Sequence, residues 1–148
     1  MFTRFAKTAR TVVTQALKEA EWLGAPTVEA EHLLLALAGR PALDSAGLDR
    51  DAILDLLEVE FEETLAVVGV SIGALGLPTP VAVADKPRFG TSAKVALERS
   101  LEEALARHDN HIGPDHILLA LLRAEFGTVP RALDRAGVDR RELAASVA

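Results

Sequence analysis

Apolar residues recur along this chain at helical spacing, in blocks separated by glycine, proline and short polar stretches. In the first block Val12, Val13, Ala16, Leu17 and Ala20 share one face of a helix predicted from about Ala6 to Leu23. Gly24 and Pro26 end it. A denser run, LLLAL at 33–37, predicts a second helix from about Ala30 to Ala38. A third, short turn from Ala42 to Ala46 stops at Gly47, a residue suited to a left-handed C-cap. The fourth helix starts behind Asp49, an N-cap residue ahead of Ala52-Ile53-Leu54, and extends to about Val67. The same series returns downstream, at about 91–107, 114–123, 129–136 and 139–147. Between the two series, GVSIGALGLPTPVAVADKPRFG carries glycines and three prolines and reads as a linker rather than an element. A long structureless loop inside a compact domain is unusual, and such loops are often functional or mobile.

The two series are copies of one unit. A shift of 84 positions lays Phe5 on Phe89, Ala9 on Ala93, Arg10 on Lys94, Leu17 on Leu101 and Glu19 on Glu103. It also lays Glu31-His32 on Asp115-His116 and one LLAL run on the other. Further on the offset becomes 90, where ALDSAGLDR at 42–50 matches ALDRAGVDR at 132–140. The second copy therefore carries six extra residues near Glu125-Phe126-Gly127. An internal repeat of this kind is a stacking unit that needs its neighbour to bury its apolar face. The predicted fold is all-α, a pseudo-two-fold tandem of two four-helix repeats with about eight helices. It forms one domain over 1–148: repeat one 1–68, linker 69–88 and repeat two 89–148.

Composition narrows the picture. Hydrophobic residues make up 49% and aromatics only 4%, so the core is aliphatic, built from Leu, Val and Ala. A net charge of −6 argues against a nucleic-acid surface, whose footprint is basic. The absence of cysteine excludes disulfides, thiolate catalysis and Cys-ligated zinc, and fits a reducing compartment. The basic start MFTRFAKTAR has no apolar segment behind it, so it does not read as a secretory signal. The weakly polar stretch 65–84 is broken by prolines and glycines and does not suit a membrane helix. The expected location is the cytoplasm, with no membrane or nucleic-acid partner.

Two acid–histidine pairs, Glu31-His32 and Asp115-His116, are the most chemical feature. Both fall at the start of a helix, where the acid favours the positive end of the dipole. Neighbouring helical residues do not face each other, so the pairs are poor acid–base couples. Metal binding on a helix wants His at i and i+4, which neither copy supplies. His108 and His111 flank Asp109-Asn110 in a turn expected to be solvated. The run Glu58, Glu60, Glu62, Glu63 reads as the wet face of the fourth helix. No P-loop, no GxSxG and no SxxK motif occurs, so no catalytic residue, metal ligand or cofactor is predicted.

The repeated pattern F-x-x-x-A-[RK], then [ED]-H-[LI]-L-L-A-L, then A-L-D-x-A-G-[LV]-D, resembles the Clp N-terminal repeat domain. That double four-helix module stands at the front of ClpA, ClpB and ClpC ATPases. Met1-Phe2-x-Arg4-Phe5 with Ala9-Arg10 looks most like the ClpC branch. The resemblance covers the whole chain and includes no nucleotide-binding core, so the chain resembles a stand-alone N-domain or an excised one. It implies a docking module without enzymatic activity, whose partners are a ClpC-type ATPase, its substrates or its adaptors. An apolar groove between the repeats binds cyclic peptide natural products in the ClpC branch. The matching positions here are Phe2, Arg10, Val13, Phe89, Lys94 and Leu97. For the phenylalanines a plainer role stays open beside the groove, that of apolar staples before a helix start. The implied function is decoy, adaptor or sequestering protein. The alternative is a phosphoarginine-reading substrate receptor feeding a ClpC-type protease.

In that alternative the helix-two acids, here Glu31 and Asp115, bind the guanidinium, and the start of helix one holds the phosphate. Carboxylate and guanidinium are geometrically matched, and a helix N-terminus attracts anions. The sequence departs from the family at these places. Phe-Thr before helix one becomes Phe5-Ala6 and Phe89-Gly90, and the Gly-Thr before the acid becomes Glu29-Ala30 and Gly113-Pro114. Glu29 adds a negative charge where a phosphate is expected, and Asp115 has a shorter reach than a glutamate.

Overall fold

The computed structural model describes residues 5–67 and 87–147. It contains eight described helices: α1 (Lys7–Trp22), α2 (Ala30–Ala36), α3 (Pro41–Ser45), α4 (Arg50–Val67), α5 (Thr91–Ala106), α6 (Pro114–Leu122), α7 (Thr128–Arg135) and α8 (Arg140–Val147). Two short strands, β1 (Thr27–Val28) and β2 (Arg88–Phe89), complete it. The all-α tandem is thus present helix for helix. Phe2 and most of the linker stretch, 69–86, lie outside the described residues.

The ends of the helices follow the sequence closely. Asp49 caps α4, its carboxylate accepting the Ala52 N–H at 2.8 Å, and its repeat mate Asp139 accepts the Glu142 N–H at 3.1 Å ahead of α8. After α3 the Leu48 N–H reaches back to the Leu43 carbonyl at 2.8 Å, and after α7 the Val138 N–H does the same with Leu133 at 3.0 Å. These are Schellman closures, with Gly47 and Gly137 at the residue past the cap.

Two helices form the centre. Leu33, Leu34, Leu35 and Leu37 are buried in and just after α2, and every residue of α6 except Asp115 is buried. A helix apolar on all sides belongs in a core rather than at a surface. In repeat one α1 lies on α2, and in repeat two α5 lies on α6. The repeats then meet through α4 on α7, α3 on α8 and the two central helices.

The crossing between repeats is made by backbone. Phe5, before α1, bridges in parallel to Ile112, before α6, and the Ala6 N–H donates to the Ile112 carbonyl at 2.9 Å. Phe89, before α5, pairs with Val28, before α2, and the Gly90 N–H donates to the Val28 carbonyl at 2.8 Å. The shift of 84 that maps Phe5 onto Phe89 also maps Val28 onto Ile112. Each repeat's first helix is therefore anchored to the other repeat's second helix. The two junctions are related by the pseudo-two-fold.

One expectation fails inside this frame. Glu60 does not lie on a wet face: it is 1% exposed, wedged between α4 and α7. Arg131 Nε donates to it at 2.7 Å, Arg135 Nε at 2.6 Å, and the Thr64 hydroxyl at 3.1 Å. Helical periodicity shows which side a residue occupies but not that a later helix will cover that side. Burial pushes this carboxyl up, but the bonds from Arg131, Thr64 and Arg135 together outweigh it and hold it below the usual carboxylate range.

Candidate inter-repeat binding site

The acid–histidine pairs are helix starts with an unusual cap. The N-cap residues are Glu29 and Gly113, which place His32 and His116 at the third helical position. The Glu29 N–H donates to His32 Nδ1 at 2.8 Å, and the Gly113 N–H donates to His116 Nδ1 at 2.8 Å. A glutamate or glutamine ordinarily returns this bond at that position. Because Nδ1 accepts, the His116 proton sits on Nε2, which donates to Asp109 at 2.7 Å. Asp109, expected in a solvated turn, thus reaches back to the start of α6. Burial pushes the His32 imidazole below its ordinary value, against the pull of Glu29 and Glu19. Both histidines are structural in this arrangement.

The acids beside them stand in different company. Glu31 is half-buried, and burial pushes its carboxyl up, opposed by its own backbone N–H and reinforced by the nearby Glu29 charge. Asp115 is held by Arg40, whose guanidinium donates to it at 2.7 Å from the first repeat. Beside Glu31, the Ser92 hydroxyl donates to Glu29 at 2.9 Å and accepts the Ala30 N–H at 2.8 Å. The Glu29 carboxylate so lies against the first turn of α5, where a negative group is favoured. A Cβ at residue 90 would collide with that carboxylate, so Gly90 leaves the space that Glu29 fills. Two departures from the family pattern, seen separately in the sequence, are one packed arrangement.

The predicted groove residues fall on both first helices. Arg10 on α1 and Lys94 on α5 are exposed and occupy equivalent places. Val13 is half-buried, and Leu97, its repeat mate, is 5% exposed and packed in the core. Phe89 is half-buried against the core at the edge of the β1–β2 ladder, and β1 lies beside α1. This brings Phe89 from repeat two to the flank of repeat one. Leu97 supports the wall from beneath and presents little surface of its own. Among the described residues no group of three or more His, Asp or Glu could hold a metal ion. No described helix is long and apolar enough to cross a membrane.

Two four-helix repeats, joined by crossed ladders with polar helix starts at each junction, define an all-α double-repeat domain. Residues 88–148 match the Clp repeat (R) N-terminal domain family. Across 147 residues the chain is 33% identical to the chloroplastic ClpA homolog ATP-binding subunit of Brassica napus, covering 99% of this chain and 16% of that protein. It is equally 33% identical to the chloroplastic chaperone protein ClpC1 of Arabidopsis thaliana, covering 99% of this chain and 15% of that protein. The chain therefore spans about one sixth of the length of the curated relatives it matches. In fold it is similar to the N-terminal domain of the chaperone ClpD from Arabidopsis thaliana, with a TM-score of 0.70 at 24% identity, covering 99% and 96% of the two chains. The Hsp104 N-terminal domain from Candida albicans follows with a TM-score of 0.65 at 18% identity, covering 97% and 88%. Residues 88–148 thus match a Clp repeat N-terminal domain, and the chain over nearly its whole length is similar to part of ClpA- and ClpC-type proteins of the Clp chaperone system.

Proposed function

We propose that this domain is a non-enzymatic binding module of the Clp system that takes a peptide, a protein segment or a cyclic peptide in the groove between its repeats. The reading is supported chiefly by the crossed junctions, which anchor the two first helices, with Arg10 and Lys94 exposed at equivalent positions of α1 and α5 and Val13 and Phe89 half-buried. An apolar floor with a few polar groups at its rim is the usual composition of a ligand groove. Affinity comes from apolar burial and depends only modestly on salt. As a binder of this kind the domain acts as a decoy, an adaptor or a sequestering protein. A labelled apolar cyclic peptide titrated into the protein tests it. Phe89→Ala, alone and with Phe2→Ala, should weaken binding at least tenfold while the melting temperature moves by no more than a few degrees. Unchanged affinity in both variants sinks the groove.

The phosphoarginine reading has one observation in its favour: the crossed ladder sets Glu31 beside the first turn of α5, joining a carboxylate to a helix N-terminus. Against it stand the two internal side chains. Glu29 already lies at the first turn of α5 with Ser92 as its donor, and Arg40 is already paired with Asp115. The apolar groove is the better supported reading.

A further inference from the structure

Along α4, Leu54, Leu57, Phe61 and Leu65 recur at spacings of three, four and four, which sets them in one stripe on the helix. Leu54 and Leu57 are half-buried against the core, Leu65 is half-buried, and Phe61 stands 57% exposed. One turn before Leu54 lies Arg50, whose guanidinium covers the Trp22 ring at 4.8 Å from its centroid. Trp22, 66% exposed at the end of α1, thereby forms the head of the same stripe. Single exposed apolar residues are ordinary. Here the chain's one tryptophan and one of its five phenylalanines lie exposed along one seam, which from Arg50 to Leu65 is roughly 22 Å long at about 1.5 Å per residue. Repeat two has no counterpart to the head, because the shift of 84 lays Trp22 on Ala106 and Leu23 on Arg107.

A row of acids borders the stripe. Asp51, Asp55, Glu58 and Glu62 follow one another at spacings of four, three and four, and all four are exposed. None of them has an ion pair among the described residues. The cations around them are matched elsewhere. Arg50 gives two bonds to Glu19, and Arg131 and Arg135 are paired with Glu60 and Glu63. In the last turns of α1, exposed Lys18 is offset by exposed Glu21. The row therefore keeps four uncompensated negative charges, on a chain of net charge −6. A row of like charges by itself is a solvated face. Beside an apolar stripe of coiled-coil spacing it also sets the charge of a helix that packs there, as charges flanking such a seam select the partner.

We propose that this face of α4 docks a basic amphipathic helix of a partner protein. Its apolar residues lie along Trp22, Leu54 and Phe61, and its lysines or arginines meet Asp55, Glu58 and Glu62. This is recognition of a helix by anchors at i, i+3, i+4 and i+7. A second copy of this chain would bring a second row of four acids to the same seam, and residues 69–84 of this chain carry no charge to answer the row. The seam lies on α4, whereas Arg10 and Lys94 lie on α1 and α5, and it stands whether or not their groove binds.

Two tandem copies of Leu-Lys-Gln-Leu-Lys-Ala-Lys, acetylated and amidated, span roughly 21 Å as a helix and match the seam. Titrated into the full chain, this peptide should move the emission of Trp22, the chain's single tryptophan, to shorter wavelength. Fluorescence anisotropy of the labelled peptide should show binding at least tenfold tighter than that of the same peptide with Glu for Lys or with Ser for Leu. Phe61→Ala and Glu58→Lys should each weaken it at least tenfold with the melting temperature within a few degrees, since both side chains are exposed. Glu102→Lys, the same change of net charge placed on α5, and Phe89→Ala should each leave it within twofold. The proposal is overturned by no binding up to millimolar concentration, by equal binding of either control peptide, by unmoved Trp22 emission, or by normal binding in Phe61→Ala or Glu58→Lys. It is overturned as well if Glu102→Lys weakens binding as much as Glu58→Lys, which makes the attraction one of net charge alone. Dimerisation of the chain in light scattering that is lost in Phe61→Ala makes a second copy the occupant and overturns it too.

Discussion

Glu31 and Asp115 are the same residue of the same repeat unit, yet among the described residues one is left without an ion pair and the other is tied down. Around Glu31, the neighbouring Glu29 supplies an anion to the start of α5, with Ser92 as its donor. At the other junction residue 113 is a glycine with no charge to offer, and Arg40 supplies a cation to Asp115 instead. The backbone at both junctions keeps the pseudo-two-fold, so the asymmetry lives entirely in side chains. Repetition fixes where polar helix starts meet. Each copy then satisfies its own start differently, and that difference decides what a ligand finds there.

A second contact between the repeats lies further along the chain. The 18 residues of α4 carry Glu60 into the crossing with α7. Glu60→Ala removes the buried carboxylate and the three hydrogen bonds it accepts, leaving Arg131 and Arg135 half-exposed, and should lower unfolding stability by about 2 kcal/mol in urea melts. The repeats are independent of this contact if the loss is below about 1 kcal/mol, within the range of a surface pair. The pH dependence sharpens the point. A carboxyl held below its ordinary value contributes stability at pH above about 4.5, and that stability is lost as pH falls through its folded value. Glu60→Gln should flatten this part of the acid limb.

Much of this was legible in the sequence, because repeats expose what a single copy hides. Helix order, the caps at Asp49 and Asp139 and the stops at Gly47 and Gly137 follow from local rules acting on neighbouring residues. What was not legible depends on residues far apart. Arg40 meets Asp115 across 75 positions, and Glu60 meets Arg131 across 71. The histidines show a different gap: their place at a helix start was readable, whereas a ring nitrogen accepting the N-cap N–H was hidden behind the usual Glu or Gln. The sign that could have found the Glu29 packing was the pairing of two departures, Gly90 and Glu29, in strands that touch.

The comparison of junctions gives a binding prediction of intermediate size. If Glu29 competes with an incoming phosphate, Glu29→Ala should raise the affinity for free phosphoarginine at least tenfold by calorimetry, about 1.4 kcal/mol. Arg40→Ala should do the same at the Asp115 junction, and Glu31→Ala should cancel the gain made by Glu29→Ala. Equal and undetectable heats in all of these proteins would show that the internal side chains are not what separates this domain from phosphoarginine, and would remove that reading.

The smallest effect tests whether the repeats are equivalent where nothing functional is asked of them. Gly24 closes α1 at φ +69°, and the Ala25 N–H returns to the Ala20 carbonyl at 2.9 Å. At the matching place after α5 stands His108, at φ +59°, with the Asp109 N–H returning to Ala104 at 2.9 Å. A side chain in the left-handed region costs about 1–2 kcal/mol, and glycine gives back about 0.5–1 kcal/mol through the freedom of its unfolded chain. His108→Gly should stabilise the protein by about 0.5 kcal/mol, and Gly24→His should destabilise it by a similar amount, read as opposite shifts in melting temperature. His108 precedes Asp109, which binds His116, so the variant must also keep that bond. If His108→Gly destabilises instead, the histidine is holding Asp109 in place, and the second repeat has turned a helix stop into support for its own helix start.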